Sequence, residues 1–273
     1  MKKYKVLISA PFYKHQHPLL DNWKKYIQAE RDYSKHEVLG FLVVNNTPDQ
    51  KIADKAMKLS EPKFIEVVNI GIGTRDEKLL ESRNLAIKKA IDEKYDFLYF
   101  YDVDVMSQEA ILNDLIKYGL KENVACVSGK VPMRGYVKEP TYTQPGLNLL
   151  QYKDIKLLNK PPIPNQPPTI LTQGKKYISG RLEPSNYKGQ KQAKDKDIPY
   201  VEMNALGFGC CVIKREALMR FPQIPPVEKW SLGSEDFTYT NMMFKIRYKL
   251  LLIKDIGLFH AQINHKTGEI RWL

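Results

Sequence analysis

The stretch YDFLYFYDVDVMSQEA, Tyr95 to Ala110, runs five apolar or aromatic residues, 97–101, straight into two carboxylates, Asp102 and Asp104. A short, unbroken apolar run closed by polar residues reads as a strand buried on both faces. Such strands belong to parallel sheets covered by helices, and ligands bind those sheets in the crevice at the strands' carboxyl ends. If the chain stays extended, period-2 geometry points Asp102 and Asp104 to the same side. Two carboxylates that close repel, and one takes up a proton unless a cation lies between them. Mg2+ or Mn2+, a hard divalent ion, suits all-oxygen ligands and would in turn bind a diphosphate. Acids at a strand end are also ordinary loop residues, so the triplet alone does not decide the matter.

Working outward, YKVLISA (4–10), EVLGFLVVN (37–45) and KFIEVVNI (63–70) read as further buried strands. Helical stretches separate them: Leu19 to about Arg31, DQKIADKAMKLS (49–60) and DEKLLESRNLAIKKAIDEK (76–94). This alternation argues an α/β fold, Rossmann-like, with a mostly parallel central sheet and helices on both faces. Residues 132–200 break the pattern. They hold most of the prolines, including NKPPIPNQPPT, and read as a long, partly mobile excursion. Order returns with PYVEMNALGFGCCVIKREAL (199–218), read as strand, Gly-rich turn, strand and helix start. A helix near 237–246, a strand YKLLLI (248–253) and the tail DIGLFHAQINH follow.

Lys and Arg outnumber Asp and Glu by 43 to 31, a net charge of +12, which suits an anionic partner such as nucleotide phosphates, nucleic acid or an acidic membrane surface. The lysines read as scattered, so a solvated basic surface explains the excess equally well. Three cysteines, Cys126, Cys210 and Cys211, contain no C-x-x-C and form no disulfide or zinc framework. The apolar run near the N-terminus is too short for a signal sequence, and no stretch approaches a membrane span of roughly 20 residues. The expectation is a soluble, cytoplasmic protein, with peripheral membrane contact through its basic surface left open.

Two more segments bear on the carboxylates. In ESRNLAIKKAI, Arg83 and Asn84 share a helix face with Leu80, Ile87 and Ile91. An arginine on an apolar face needs a partner, and a carboxylate or phosphate matches its fork; snorkelling outward is the alternative. In GSEDFTYTNMMF, Glu235 and Asp236 open a helix. Acids there favour the helix dipole, and at a loop-to-helix junction one of them could also act as general base. Spacing does not rank the two.

In order and spacing, SAPFYK, VVNNTPD, NIGIGTRDEKLLESRNLAIKKA, FLYFYDVDVM, NALGFGCCVIKREAL and GSEDFTYTNMMF with the following IGLFH resemble GT-A glycosyltransferases, especially the family 2-like branch. The resemblance covers nearly the whole chain outside 132–200. It implies one GT-A domain, 1–273, with a nucleotide-sugar half (1–131) and an acceptor half (132–273). It implies a hexosyltransferase-type enzyme using Mn2+ or Mg2+ and a UDP- or GDP-linked sugar donor. The acceptor stays open among glycan, lipid-linked and protein hydroxyls. By the same resemblance Pro11, Tyr13, Asn45 and Asn46 lie near base or ribose. Many relatives carry an acid where Asn45 and Asn46 stand, which leaves the base open. Arg83 and Asn84 would contact the diphosphate or brace the metal site. Asp102 would face the ribose or a metal water, Asp104 would hold the metal, and His260 would be a further ligand. Gly207 and Gly209 would let the backbone approach a sugar. Asp236, with Glu235 beside it, would be the base of an inverting transfer. Retaining branches carry D-x-D too, so stereochemistry stays open. The rivals are a nucleotidyltransferase, which SAPFYKHQHP opposes by lacking a Gly-rich phosphate loop, and a basic RNA- or polyanion-binding module, which leaves DVD and SRN unexplained.

Overall fold

A computed structural model describes residues 2–60, 63–107, 109–131, 197–230, 234–263 and 270–272. The excursion expected at 132–200 lies outside the described residues up to 196. One eight-stranded sheet runs in the order β3-β2-β1-β4-β8-β6-β9-β7. Its first half is β1 (Lys5–Tyr13), β2 (Glu37–Asn45), β3 (Ile65–Asn69) and β4 (Phe97–Tyr101). These strands pair parallel, β1 with β2 from Lys5↔Glu37 to Tyr13↔Asn45 and with β4 from Val6↔Phe97 to Ser9↔Phe100.

All five residues of β4 are buried, and they divide by parity. Phe97, Tyr99 and Tyr101 join the core cluster that also holds Trp23, Tyr26 and Ile27 of α1 (Leu20–Tyr33). Leu98 and Phe100 join the cluster of Ala86, Ile87 and Ala90 from α3 (Arg75–Asp92). Helices thus cover both faces, as the unbroken apolar run requires. Each large side chain buried this way contributes about 1.5–3 kcal/mol. The start of α3 is fixed by a capping box, with Thr74 as N-cap and Glu77 reaching back to its backbone N–H.

The second half is mixed rather than parallel. β8 (Cys210–Lys214) inserts antiparallel between β4 and β6 (Val124–Lys130), pairing Tyr101↔Cys210 and Ser128↔Cys211. β9 (Lys249–Gly257) runs parallel to β6, and β7 (Tyr200–Met203) closes the edge antiparallel to β9. Four of the seven pairings are parallel, so the α/β sheet is mostly so. The reversal matters for the site: because β8 runs against β4, its amino end, preceded by Gly209, arrives beside Asp102. The Asp102 N–H donates to the Gly209 carbonyl at 3.1 Å.

A small second sheet, absent from the sequence reading, joins β5 (Val105–Met106), β10 (Phe259–Ile263) and β11 (Ile270–Trp272). His260 pairs with Val105 across it, and the Ala261 N–H donates to the Asp104 carbonyl at 2.7 Å. Among the described residues the remaining α-helices are α2 (Gln50–Met57), α4 (Leu112–Gly119), α5 (Arg215–Arg220) and α6 (Glu235–Lys245). No helix among the described residues is long and apolar enough to cross a membrane.

Candidate active site

The carboxyl ends of β1 and β4, one face of α3 and the start of α6 converge on a cavity of about 380 Å³. Arg75, Leu79 and Arg83 line it at four-residue spacing, so a single stripe of α3 faces inward. After β1 the chain tightens into a 3-10 helix, Lys14–Leu19, which brings His15 and Gln16 to the wall.

Asp104 is buried, 5% exposed. Its Oδ2 accepts from Gln16 Nε2 at 2.8 Å, and its Oδ1 lies 3.6 Å from His260 Nε2. Asp102 is turned the other way, its Oδ1 accepting from Arg83 Nη2 at 2.7 Å. Arg83, 3% exposed, lies with its guanidinium carbon 4.7 Å from the Phe100 ring centre and 5.4 Å from that of Phe208. Such contacts hold the plane of the fork. Burial opposes its charge, yet Asp102 and Glu235 outweigh that and hold the guanidinium above the ordinary arginine range. Its Nε and Nη1 make no hydrogen bond, an unusual state for buried donors.

The two adjacent acids of α6 differ sharply. Glu235 is buried, with Oε1 4.0 Å from Arg83 Nε. Burial first, then the neighbouring Asp236, push its carboxyl up to about 8, against the pull of Arg83. Asp102 is the closer of the two carboxyl partners of Arg83. Asp236 is half-buried and accepts from the Phe237 N–H at 2.7 Å, the Phe208 N–H at 3.2 Å and the Ser234 hydroxyl. These bonds aim a fixed carboxylate at the cavity.

Of the residues singled out in the sequence, Pro11, Tyr13, Arg83, Asp102, Asp104, Gly209, Glu235, Asp236 and His260 line this one cavity. Asn45, Asn46, Asn84 and Gly207 do not. Asn45 is fully buried and donates to Ser82 Oγ at 3.4 Å, tying β2 to α3. Asn46 adopts a left-handed conformation (φ 48°), and its Oδ1 accepts from the Gly73 N–H at 2.7 Å, joining two loops. The Asn84 amide is committed to the Ile224 backbone, with Oδ1 accepting from its N–H at 2.7 Å. Gly207 is buried in a segment held to α6 by Thr240, whose hydroxyl bonds both backbone groups of Leu206. Sequence reading missed Gln16 and Arg75. The spacing of Arg75 from Arg83 would have revealed the second; the Gln16 contact spans 88 residues and leaves no local signal.

Among the described residues no three His, Cys, Asp or Glu side chains cluster as a complete metal site. Asp104 and His260 form a pair instead, within the about 4.2 Å that two bonds of about 2.1 Å can bridge. Mg2+ and Mn2+ are commonly held by one or two protein ligands plus phosphates and water, so the pair fits such an ion. Four acidic side chains and two arginines line the cavity.

The α/β order, the reversal at β8 and the crevice at the ends of β1 and β4 agree with the GT-A fold that the sequence resemblance implies. A solved mannosyltransferase, PcManGT from Pyrobaculum calidifontis in complex with GDP-Man and Mn2+, is similar to this chain with a TM-score of 0.53 at 14% identity. The similarity covers 94% of this chain and 56% of that one, so the chain spans little more than half its neighbour's length. No family model and no curated protein matches the chain.

Proposed function

We propose that this protein is a divalent-metal-dependent glycosyltransferase that moves a sugar from a nucleoside-diphosphate donor to an acceptor hydroxyl, with inversion. The observation that carries the reading is the convergence of Arg83, Asp102, Asp104, Asp236 and His260 on one cavity. A guanidinium fork matches a diphosphate, and the carboxylate and imidazole suit a divalent ion. When bound, a divalent ion neutralises charge on the leaving diphosphate. Asp104 and His260 would hold it. Asp102 keeps Arg83 charged and in place.

Transfer then needs one base. The acceptor oxygen bonds to the anomeric carbon as the bond from that carbon to the diphosphate oxygen breaks. The acceptor proton passes to Asp236, and the nucleoside diphosphate leaves. Asp236 suits this role because it borders the cavity with its orientation fixed by two backbone amides, whereas Glu235 is buried against Arg83. The donor and metal of the solved neighbour, GDP-Man and Mn2+, are the first pair to test, with UDP-sugars as the second. Metal-dependent release of nucleoside diphosphate from a sugar-nucleotide panel tests the reading; no release from any donor, with or without Mn2+ or Mg2+, would sink it.

A further inference from the structure

Gln16 sits between the backbone of β1 and the carboxylate of Asp104, and its orientation is forced. The Tyr13 N–H can only donate, so the Gln16 atom facing it at 3.0 Å is Oε1. Nε2 is therefore the atom that meets Asp104 Oδ2 at 2.8 Å. Both ends of this link are anchored. Tyr13 is paired with Asn45 in the sheet, and the Asp104 carbonyl is held by Ala261. Gln16 itself is 6% exposed, so water competes poorly for the bond.

We infer that Gln16 is a positioning residue that holds Asp104 to one-oxygen ligation and so favours Mn2+ or Mg2+ over Ca2+. This rests on the reading of Asp104 and His260 as metal ligands. An amide N–H on Oδ2 leaves Oδ1, the oxygen nearer His260, as the one presented to the ion. Six-coordinate ions with short bonds accept a single carboxylate oxygen. Ca2+ takes six to eight oxygens and readily uses both oxygens of one carboxylate. A donor that occupies one of them selects between the two classes, and hydrogen bonds to ligating groups commonly change metal affinity by about 10–100-fold.

The test compares Mn2+ and Ca2+ dissociation constants of the full chain, following free Mn2+ by electron paramagnetic resonance and Ca2+ by competition. Gln16→Met keeps the length and removes the donor. Gln16→Leu also removes the donor and adds no carboxylate, so it serves if the first variant fails to fold. In either folded variant the preference for Mn2+ over Ca2+ is expected to fall about tenfold or more. An unchanged preference in a folded variant overturns the inference while leaving the metal reading intact. Failure of the wild type to bind Mn2+, or equally tight binding by Asp104→Asn, removes the metal reading and the inference with it.

Discussion

Asp236 and Glu235 are neighbours in sequence with different surroundings. Asp236 takes three hydrogen bonds at the cavity edge, while Glu235 is buried and pushed up to about 8. Asp236→Asn preserves the shape and removes the base, so donor binding is expected to stay within about twofold while kcat falls about 10²–10⁴-fold. Isothermal titration with the donor, alongside single-turnover transfer, separates the two effects; transfer at the wild-type rate would place the base elsewhere. Arg83 links fold and chemistry. Arg83→Ala would strip Asp102 of its counter-ion and open a gap between Phe100 and Phe208. A loss of about 3 kcal/mol in urea unfolding is expected, at the low end for a broken buried pair because Asp102 is only partly buried. An anionic partner for Arg83 was legible from SRN, because an arginine on an apolar helix face needs one, though the choice between a carboxylate and a phosphate stayed open. The ranking of Asp236 over Glu235 was not legible, since it depends on which way the helix start faces.

At the scale of elements, α1 and α4 are joined by one buried acid. Glu30 of α1 accepts from the backbone N–H groups of Ile111 and Leu112 at 2.8 and 3.2 Å, capping α4, and from the Tyr26 hydroxyl. Burial pushes its carboxyl up to about 7, against those hydrogen bonds. A carboxyl raised in the folded state contributes stability that is fully present below its unfolded value and is lost as pH rises through the folded one. The melting temperature is therefore expected to fall between pH 5 and 8, with up to about 3 kcal/mol traceable to this group. Glu30→Gln, which keeps an acceptor and cannot ionise, should flatten that slope; an unchanged slope would place the titration elsewhere. The strands β1 to β4 and the helix α3 were legible because each carries an unbroken apolar run or a helical stripe. The β5–β10–β11 sheet was not. β5 has two residues, too few to show a period, and its pairing with β10 joins positions more than 150 residues apart. The reversed direction of β8 was equally hidden, since a buried strand reads the same whichever way it runs.

For the molecule as a whole, donor and metal together should act as a folding ligand. At concentrations of about 100 times the dissociation constant, linkage adds about 2.7 kcal/mol, a rise in melting temperature of about 5 °C for a chain of this size. Scanning fluorimetry with GDP or UDP and Mn2+ checks this, and Asp104→Ala should show no rise. An equal rise in that variant would remove Asp104 from the metal site. The basic charge proves less scattered than it first reads. Residues 132–196 hold twelve Lys and Arg against four Asp and Glu, so +8 of the +12 falls in that stretch. The topology of the described part implies an order of assembly. β3, β2, β1 and β4 can pair as soon as the first hundred or so residues leave the ribosome, but β4 then waits for β8, and Asp104 waits for His260. Such distant pairings form late and leave strand edges uncovered meanwhile. A nascent chain is accordingly sheet-forming well before Asp104 and His260 can meet, and a chain cut ahead of residue 259 would keep most of its strands while losing the imidazole of that pair.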